Sequence, residues 1–298
     1  MAQCLENIPQ DFNFNSMKNY FRPVCYLITI IALLLVSATS TKYTISEKVN
    51  SAFDKSSGPR SLIPKKNTAF KPGEILTYRL HYGIVDAGIA TMEVKPDVKE
   101  VAGRKLYHMV GNGYSKGSFD WFFKVRDRYE TFMDSSALVP WIFIRRVDEG
   151  GYKFSQDYFF NRYNNTVNVG KNESYPIKDE TQDMVSAFYA ARTIDFSNAK
   201  NGDVFTIESF VDKEDWPLKI KFVGKETIKS DIGKIKCLKF RPLVQRGRIF
   251  KKEEDMTVWI SDDVNHIPIR AEAKILIGSI KLDILSAENT IVPVTSTK

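Results

Sequence analysis

Leu218-Lys219-Ile220-Lys221-Phe222-Val223 alternates apolar and charged side chains through Phe222, and a period of two sends one set to each face of a strand. A sheet with one wet face follows, which is the habit of antiparallel rather than parallel strands. Outward from this run the same signals give strands at 74–84, 89–94, 105–110, 129–134, 141–147 and 152–161 in the first half. In the second half they give 204–211, 218–223, 234–241, 257–261, 269–277 and 280–285. Between the halves, Asp183 to Ile194 carries Val185, Phe188, Tyr189 and Arg192 at helical spacing, with Ala187, Ala190 and Ala191 among them. Asp183 and Arg192 stand at the ends where the helix dipole favours their charges.

The halves share landmarks. Gly73-Glu74-Ile75-Leu76-Thr77 returns as Gly202-Asp203-Val204-Phe205-Thr206, Gly103 as Gly233, and Gly117 with Phe123-Lys124 as Gly247 with Phe250-Lys251. Asp134 precedes Pro140 as Asp262 precedes Pro268. A nearly constant offset across these positions points to duplication. Each meander alone is too small to cover its apolar face, whereas joining both into a curved sheet or barrel covers it and shields edges. The expected fold is therefore mainly β: a duplicated antiparallel meander forming a curved sheet or barrel, with one helix at about 183–194 linking the halves. Two separate small sandwiches are the alternative, disfavoured by the missing flexible linker.

The chain has 298 residues, 43% hydrophobic and 27% charged, with 13 Tyr, 20 Phe and 4 Trp. That composition supports a large core and favours pleated, aromatic-rich surfaces. Val24 to Val36 form an apolar run preceded by Lys18 and Arg22 and followed by small residues. This is the order of a secretory signal, too short to span a bilayer comfortably. Expected boundaries are a signal over 1–40, its start at Met17, a flexible tether over 41–70, a β-rich body over 71–286 and a tail over 287–298. The body comprises repeats at about 72–161 and 202–286. Periplasm or cell envelope is the expected address, with no transmembrane span after cleavage; an uncleaved anchor is the alternative. Cys25 sits at the wrong end of the apolar run for lipid attachment.

Asp183 to Arg192, Gly202-Asp203, Gly233 to Pro242, Val258 to Asp263 and His266-Ile267-Pro268 together resemble a family of exported bacterial proteins, the domain of unknown function DUF3108. The match covers about residues 70–286. The closing Trp strand, acidic turn and Ile-Pro are distantly similar to the half-open barrels of periplasmic lipoprotein carriers, which implies a concave apolar surface covered by a helix. Fold-level analogy of this kind says little about function.

The formal charge is +7, but acids and lysines interleave and no nucleic-acid motif accompanies them, so no nucleic-acid partner is expected. No metal or cofactor is expected either: His81, His108 and His266 lack ligand spacing, and neither a nucleophile elbow nor a phosphate loop is present. Cys237, without a positioned His, reads as a structural thiol. No catalytic residue is assigned; paired carboxylates for a hydrolase meet only in space and leave that alternative open. Ser118-Phe119-Asp120-Trp121-Phe122-Phe123 packs four aromatics into five positions. Phe119, Trp121, Phe122, Phe123, Trp141 and Phe188 are the candidate ligand-binding residues. The expected function is a noncatalytic exported protein binding a hydrophobic or amphipathic ligand or envelope client; lipid, glycan and an outer-membrane client are the candidate partners. A structural scaffold docking on membrane or polysaccharide is the alternative. A filled interior favours the scaffold, and an apolar cavity of roughly 300 Å³ or more favours the binder.

Overall fold

The structure is a computed structural model describing residues 62–101, 103–170, 173–243, 256–274 and 279–294. Its first half runs β1 (Ile75–Tyr82), β2 (Val85–Val94), β3 (Lys99–Val101), β4 (Arg104–Ser115), α1 (Gly117–Phe122), β5 (Arg126–Asp134), β6 (Pro140–Glu149), β7 (Tyr152–Asn161), β8 (Thr166–Gly170) and β9 (Glu173–Pro176). After α2 (Met184–Arg192) come β10 (Val204–Ile207), β11 (Phe210–Val211), β12 (Glu214–Asp215), β13 (Leu218–Ser230), β14 (Gly233–Pro242), β15 (Met256–Ser261), β16 (Pro268–Lys274) and β17 (Ser279–Glu288). All but β11 and β12 belong to one 15-stranded sheet in the order β10-β13-β14-β15-β16-β17-β1-β2-β4-β5-β6-β7-β8-β9, with β3 on β4. The fold is thus mainly β and antiparallel, curved and not closed.

The halves meet where the first strand pairs with the last, from Ile75↔Glu288 to Tyr82↔Ile280. Six strands on each side follow the same meander, β1-β2-β4-β5-β6-β7 and β10-β13-β14-β15-β16-β17. Their turns match atom for atom. Gly73 N–H donates to Val94 O (2.7 Å) and Val94 N–H to Glu74 O (2.9 Å); Gly202 N–H donates to Phe222 O (2.9 Å) and Phe222 N–H to Asp203 O (2.8 Å). Gly73 and Gly202 both take positive φ, 87° and 99°. Leu138 and His266, each two residues before a strand-opening proline, are both left-handed, at φ 55° and 44°. A left-handed non-glycine residue is uncommon, so its recurrence 128 positions on marks the same turn built twice.

The same repeat explains why no barrel closes. A symmetric closure would lay β10 on β7, but the β8–β9 hairpin already occupies that edge, from Phe159↔Asn168 to Asn161↔Thr166. Among the described residues the backbone bridge across the gap is the single parallel pair Gln182↔Ser209, through Gln182 N–H to Glu208 O and Phe210 N–H to Gln182 O, each 2.8 Å, with the ion pairs Lys178–Glu208 (2.9 Å) and Arg145–Asp212 (3.0 Å) beside it. Nothing in the local pattern of residues 162–182 announced that hairpin.

α2 fills the space beside this bridge. Asp183 caps it, accepting from Val185 N–H and Ser186 N–H at 2.8 Å each, while Ser186 Oγ accepts from Asp183 N–H at 2.8 Å. Thr131 on β5 donates its hydroxyl to the second Asp183 oxygen (2.5 Å), which fastens the cap to the sheet. Burial raises the Asp183 carboxyl to about 6 against these hydrogen bonds, which lower it. Replacing Asp183→Ala removes the cap and leaves the Thr131 hydroxyl only its longer bond to Ile142 O (3.3 Å), so a loss of about 2 kcal/mol is expected in urea unfolding. A loss under about 0.5 kcal/mol would contradict the capping role. Arg162, wholly buried, donates to the carbonyls of Pro140 (2.9 Å) and Thr181 (2.6 Å), stapling the approach to α2 onto β6.

One core cluster draws from both halves, and two smaller ones centre on Leu106, Phe132 and Trp141 and on Phe196, Phe222 and Phe240. Ala69 and Phe70, assigned from sequence to the tether, are buried at 0% and 1% exposure, so the body begins before residue 71. In the tail, the Val292 carbonyl accepts from Asn265 Nδ2 (2.9 Å), so chain beyond 286 joins the body. The signal, the tether before residue 62 and the landmarks Gly247, Phe250 and Lys251 lie outside the described residues.

Candidate functional site

α2 is the lid of a pocket. Met184, Phe188 and Ala191, spaced by four and three, form one stripe of the helix and line it from one side. Opposite, Met256, Val258 and Ile260 of β15 alternate toward it, as do Leu218 and Ile220 of β13. Phe240 and Phe196 also line it, their rings tilted at 54° to each other with centroids 4.8 Å apart. Trp216, in the loop before β13, stands at the rim. The space measures about 170 Å³. It exists because alanines on the helix face large side chains on the sheet, leaving room that neither side fills.

Among the lining residues, Arg192, Ser209 and His266 carry the polar side chains. The guanidinium of Arg192 is already engaged: Nη1 and Nη2 bind the two Glu74 oxygens at 2.6 and 2.8 Å, Nε donates to Asn265 O (2.9 Å), and Nη2 also to Ala69 O (2.8 Å). Burial alone would lower its pKa, but the Glu74 carboxylate outweighs burial and raises it. The charge is neutralised in place. His266 Nδ1 donates to the Arg192 carbonyl (2.8 Å), a bond that requires the proton on Nδ1. Ser209 Oγ donates to Ile207 O at 3.3 Å. Such a surface offers shape and dispersion with little polar direction.

Of the residues singled out from sequence, Phe188 lines this pocket, and Phe119, Trp121, Phe123 and Trp141 do not. Phe119 packs against the main core, with ring centroids 6.5 Å from both Tyr82 and Phe123. Phe123 lies over the Gly150 turn, so close that a Cβ on Gly150 would fall 2.5 Å from its ring. Trp121 is 90% exposed. Trp141 is buried at 1% exposure, its Nε1 donating to Asp134 Oδ2 (3.3 Å) and its ring 5.4 Å from Tyr163. The Phe122 side chain lies outside the described residues. The aromatic segment therefore does not form one wall with Trp141 and Phe188. The pocket lies instead against the second repeat, and the alternation at 256–260 and the lone Trp216 in an acidic loop were its available signals.

Chemistry elsewhere is sparse. Among the described residues no cluster of His, Cys, Asp and Glu could hold a metal. Cys237 is buried, and burial pushes its thiol up to about 12, so it stays protonated. Two carboxyls do face each other, Asp127 and Glu149, but Asp127 is 2% exposed and accepts from Asp148 N–H (2.9 Å). That burial leaves substrate no approach to it.

An open antiparallel sheet of two fused meanders, with one helix over an apolar pocket, defines a curved, barrel-like β protein. Residues 77–285 match the family model described as "Protein of unknown function (DUF3108)", and the chain belongs to that family. Among solved structures it is similar to a β-barrel-like protein of the DUF1849 family from Brucella abortus, at 9% identity over 74% of this chain and 98% of that one, with a TM-score of 0.46. It is also similar to the lipoprotein LppX from Mycobacterium tuberculosis, at 12% identity over 76% and 90% of the two chains, with a TM-score of 0.19. None of the curated proteins matches.

Proposed function

We propose that this chain is an exported, noncatalytic binding protein that holds a small hydrophobic or amphipathic molecule between α2 and the β13–β17 face. The observation that carries the reading is the pocket itself, whose half-exposed apolar side chains, Phe188, Leu218, Ile220 and Val258, have solvent or a ligand as their alternatives. Its 170 Å³ falls short of the roughly 300 Å³ set from sequence as favouring a binder, which restricts the reading to a small occupant. It is closer to the roughly 150 Å³ at which an apolar cavity accepts benzene. A single acyl segment or one ring system fits that room. Because Arg192 is held by Glu74, the site does not recruit an anionic headgroup through it.

Export rests on the charged, apolar and small-residue order at 18–40, and the domain plan keeps a signal, a tether and a two-repeat body. Protein purified from its native envelope is expected to release a lipid-like mass on delipidation and then to take up a fluorescent fatty acid. Ala191→Phe fills the pocket from the helix side and is expected to lower that uptake at least tenfold, since about 1.4 kcal/mol of lost contact suffices. A clean mass together with no uptake by the unaltered protein overturns the reading.

A further inference from the structure

One end of the sheet exposes the side chains that a soluble protein ordinarily hides. Ile84, in the β1–β2 turn, is 100% exposed, Val85 beside it 44%, and Trp121 of α1 90%. The two supports are neighbours. Lys116 N–H donates to Ala87 O (2.9 Å), fixing the start of α1 on β2, and the Phe119 ring lies 6.5 Å from the ring of Tyr82 at the end of β1. Singly exposed apolar residues are ordinary, but a tryptophan and an isoleucine offered to water together at one end are not.

The charges around them have one sign to spare. Arg126 Nη1 (2.6 Å) offsets the Asp120 charge, which Ser115 Oγ also holds (2.5 Å), while Asp86, hydrogen-bonded to His81 Nδ1 (2.8 Å), offsets one lysine and leaves a single positive charge in excess. Lys116 and Lys124, flanking α1, are exposed. We propose that this end docks on an anionic lipid surface, with Trp121 and Ile84 entering the headgroup boundary and Lys116 and Lys124 meeting lipid phosphates. Tryptophan suits that boundary because its ring is apolar while its N–H stays hydrogen-bonded. Each lysine near such a surface contributes about a fivefold gain in affinity, which added salt removes.

The test uses the full chain with vesicles of brominated phosphatidylcholine, with or without phosphatidylglycerol. The tryptophan emission lost between the unaltered protein and Trp121→Phe reports this one ring. Expected are quenching of that emission in anionic vesicles, relief by salt, and loss of Trp121 quenching in Ile84→Asp. Lys116→Gln with Lys124→Gln is expected to weaken vesicle affinity about 25-fold. The changed positions are exposed, so circular dichroism should be unaltered. Trp121 emission indifferent to brominated lipid overturns the proposal, as does equal quenching in zwitterionic vesicles. A Trp121-dependent dimer that forms without lipid overturns it too, assigning the patch to a second copy. None of these outcomes depends on whether the pocket is filled.

Discussion

Arg192→Ala is expected to destabilise the protein by about 3–5 kcal/mol, lowering Tm by roughly 6–20 °C for a body of this size. Glu74 is 0% exposed and Arg192 3%, and the variant leaves that carboxylate buried without its partner. It also frees the carbonyls of Asn265 and Ala69, which now receive guanidinium protons. One side chain therefore ties together the end of α2, the start of β1, the turn before β16 and the segment leading into the sheet. Its guanidinium also stacks over Phe70, Phe188 and Tyr189, with centroid distances of 5.7, 5.9 and 5.4 Å. Glu74→Gln should lose less than Arg192→Ala, because the amide oxygen still accepts one bond. Arg192→Met combined with Glu74→Met should lose less than the sum of the two singles, since no lone charge remains. Thermal unfolding followed by near-ultraviolet circular dichroism measures all six proteins: the original, Arg192→Ala, Glu74→Gln, Arg192→Met, Glu74→Met and the Met double variant. An Arg192→Ala protein within about 1 kcal/mol of the original would show that the pair is not the clamp described.

The fold was legible because β-strands with one wet face write their register into the sequence. The run at 218–223 and the recurring glycine turns at 73 and 202 are local signals: the first keeps its predicted faces, and the two turns share one hydrogen-bond pattern in the structure. Strand ends were less legible. β13 continues to Ser230 through Gly224, whose positive φ marks an irregular register after Phe222 that no alternation records. The site was less legible still. Aromatic density drew attention to 119–123, yet a pocket arises from mismatch between facing elements, here alanines opposite Trp216 and Ile260, and mismatch is a property of pairs far apart in the chain. Trp141 illustrates the converse. Its indole is committed to Asp134, a partner seven residues back that sequence gives no reason to choose over water.

Asp127→Asn is expected to flatten the stability of the protein between about pH 4 and the alkaline range, and to make the variant the more stable form near pH 8. Burial raises the Asp127 carboxyl well above the ordinary range, and the facing Glu149 adds to the rise by charge and by a hydrogen bond that needs a proton; Asp148 N–H and Arg145 oppose it. The folded protein thus keeps a proton that the unfolded chain releases at its ordinary value near 4. The group's stabilisation is complete below that ordinary value and is lost as pH rises toward the folded one, at up to about 1.36 kcal/mol per pH unit. Asparagine keeps the acceptor for Asp148 N–H and supplies a donor to Glu149 without ionising, so the penalty vanishes. Other carboxyls titrate in the same experiment. Asp183, raised to about 6 by burial, slopes the same way, whereas Glu130 slopes the other way: burial raises it, but hydrogen bonds from His108 and Arg128 win and hold it at about 2. Urea unfolding of both proteins across the pH range cancels these shared contributions in the difference. A difference that stays constant with pH would mean that Asp127 is ionised in the folded protein, and that Arg145 rather than a shared proton balances the pair.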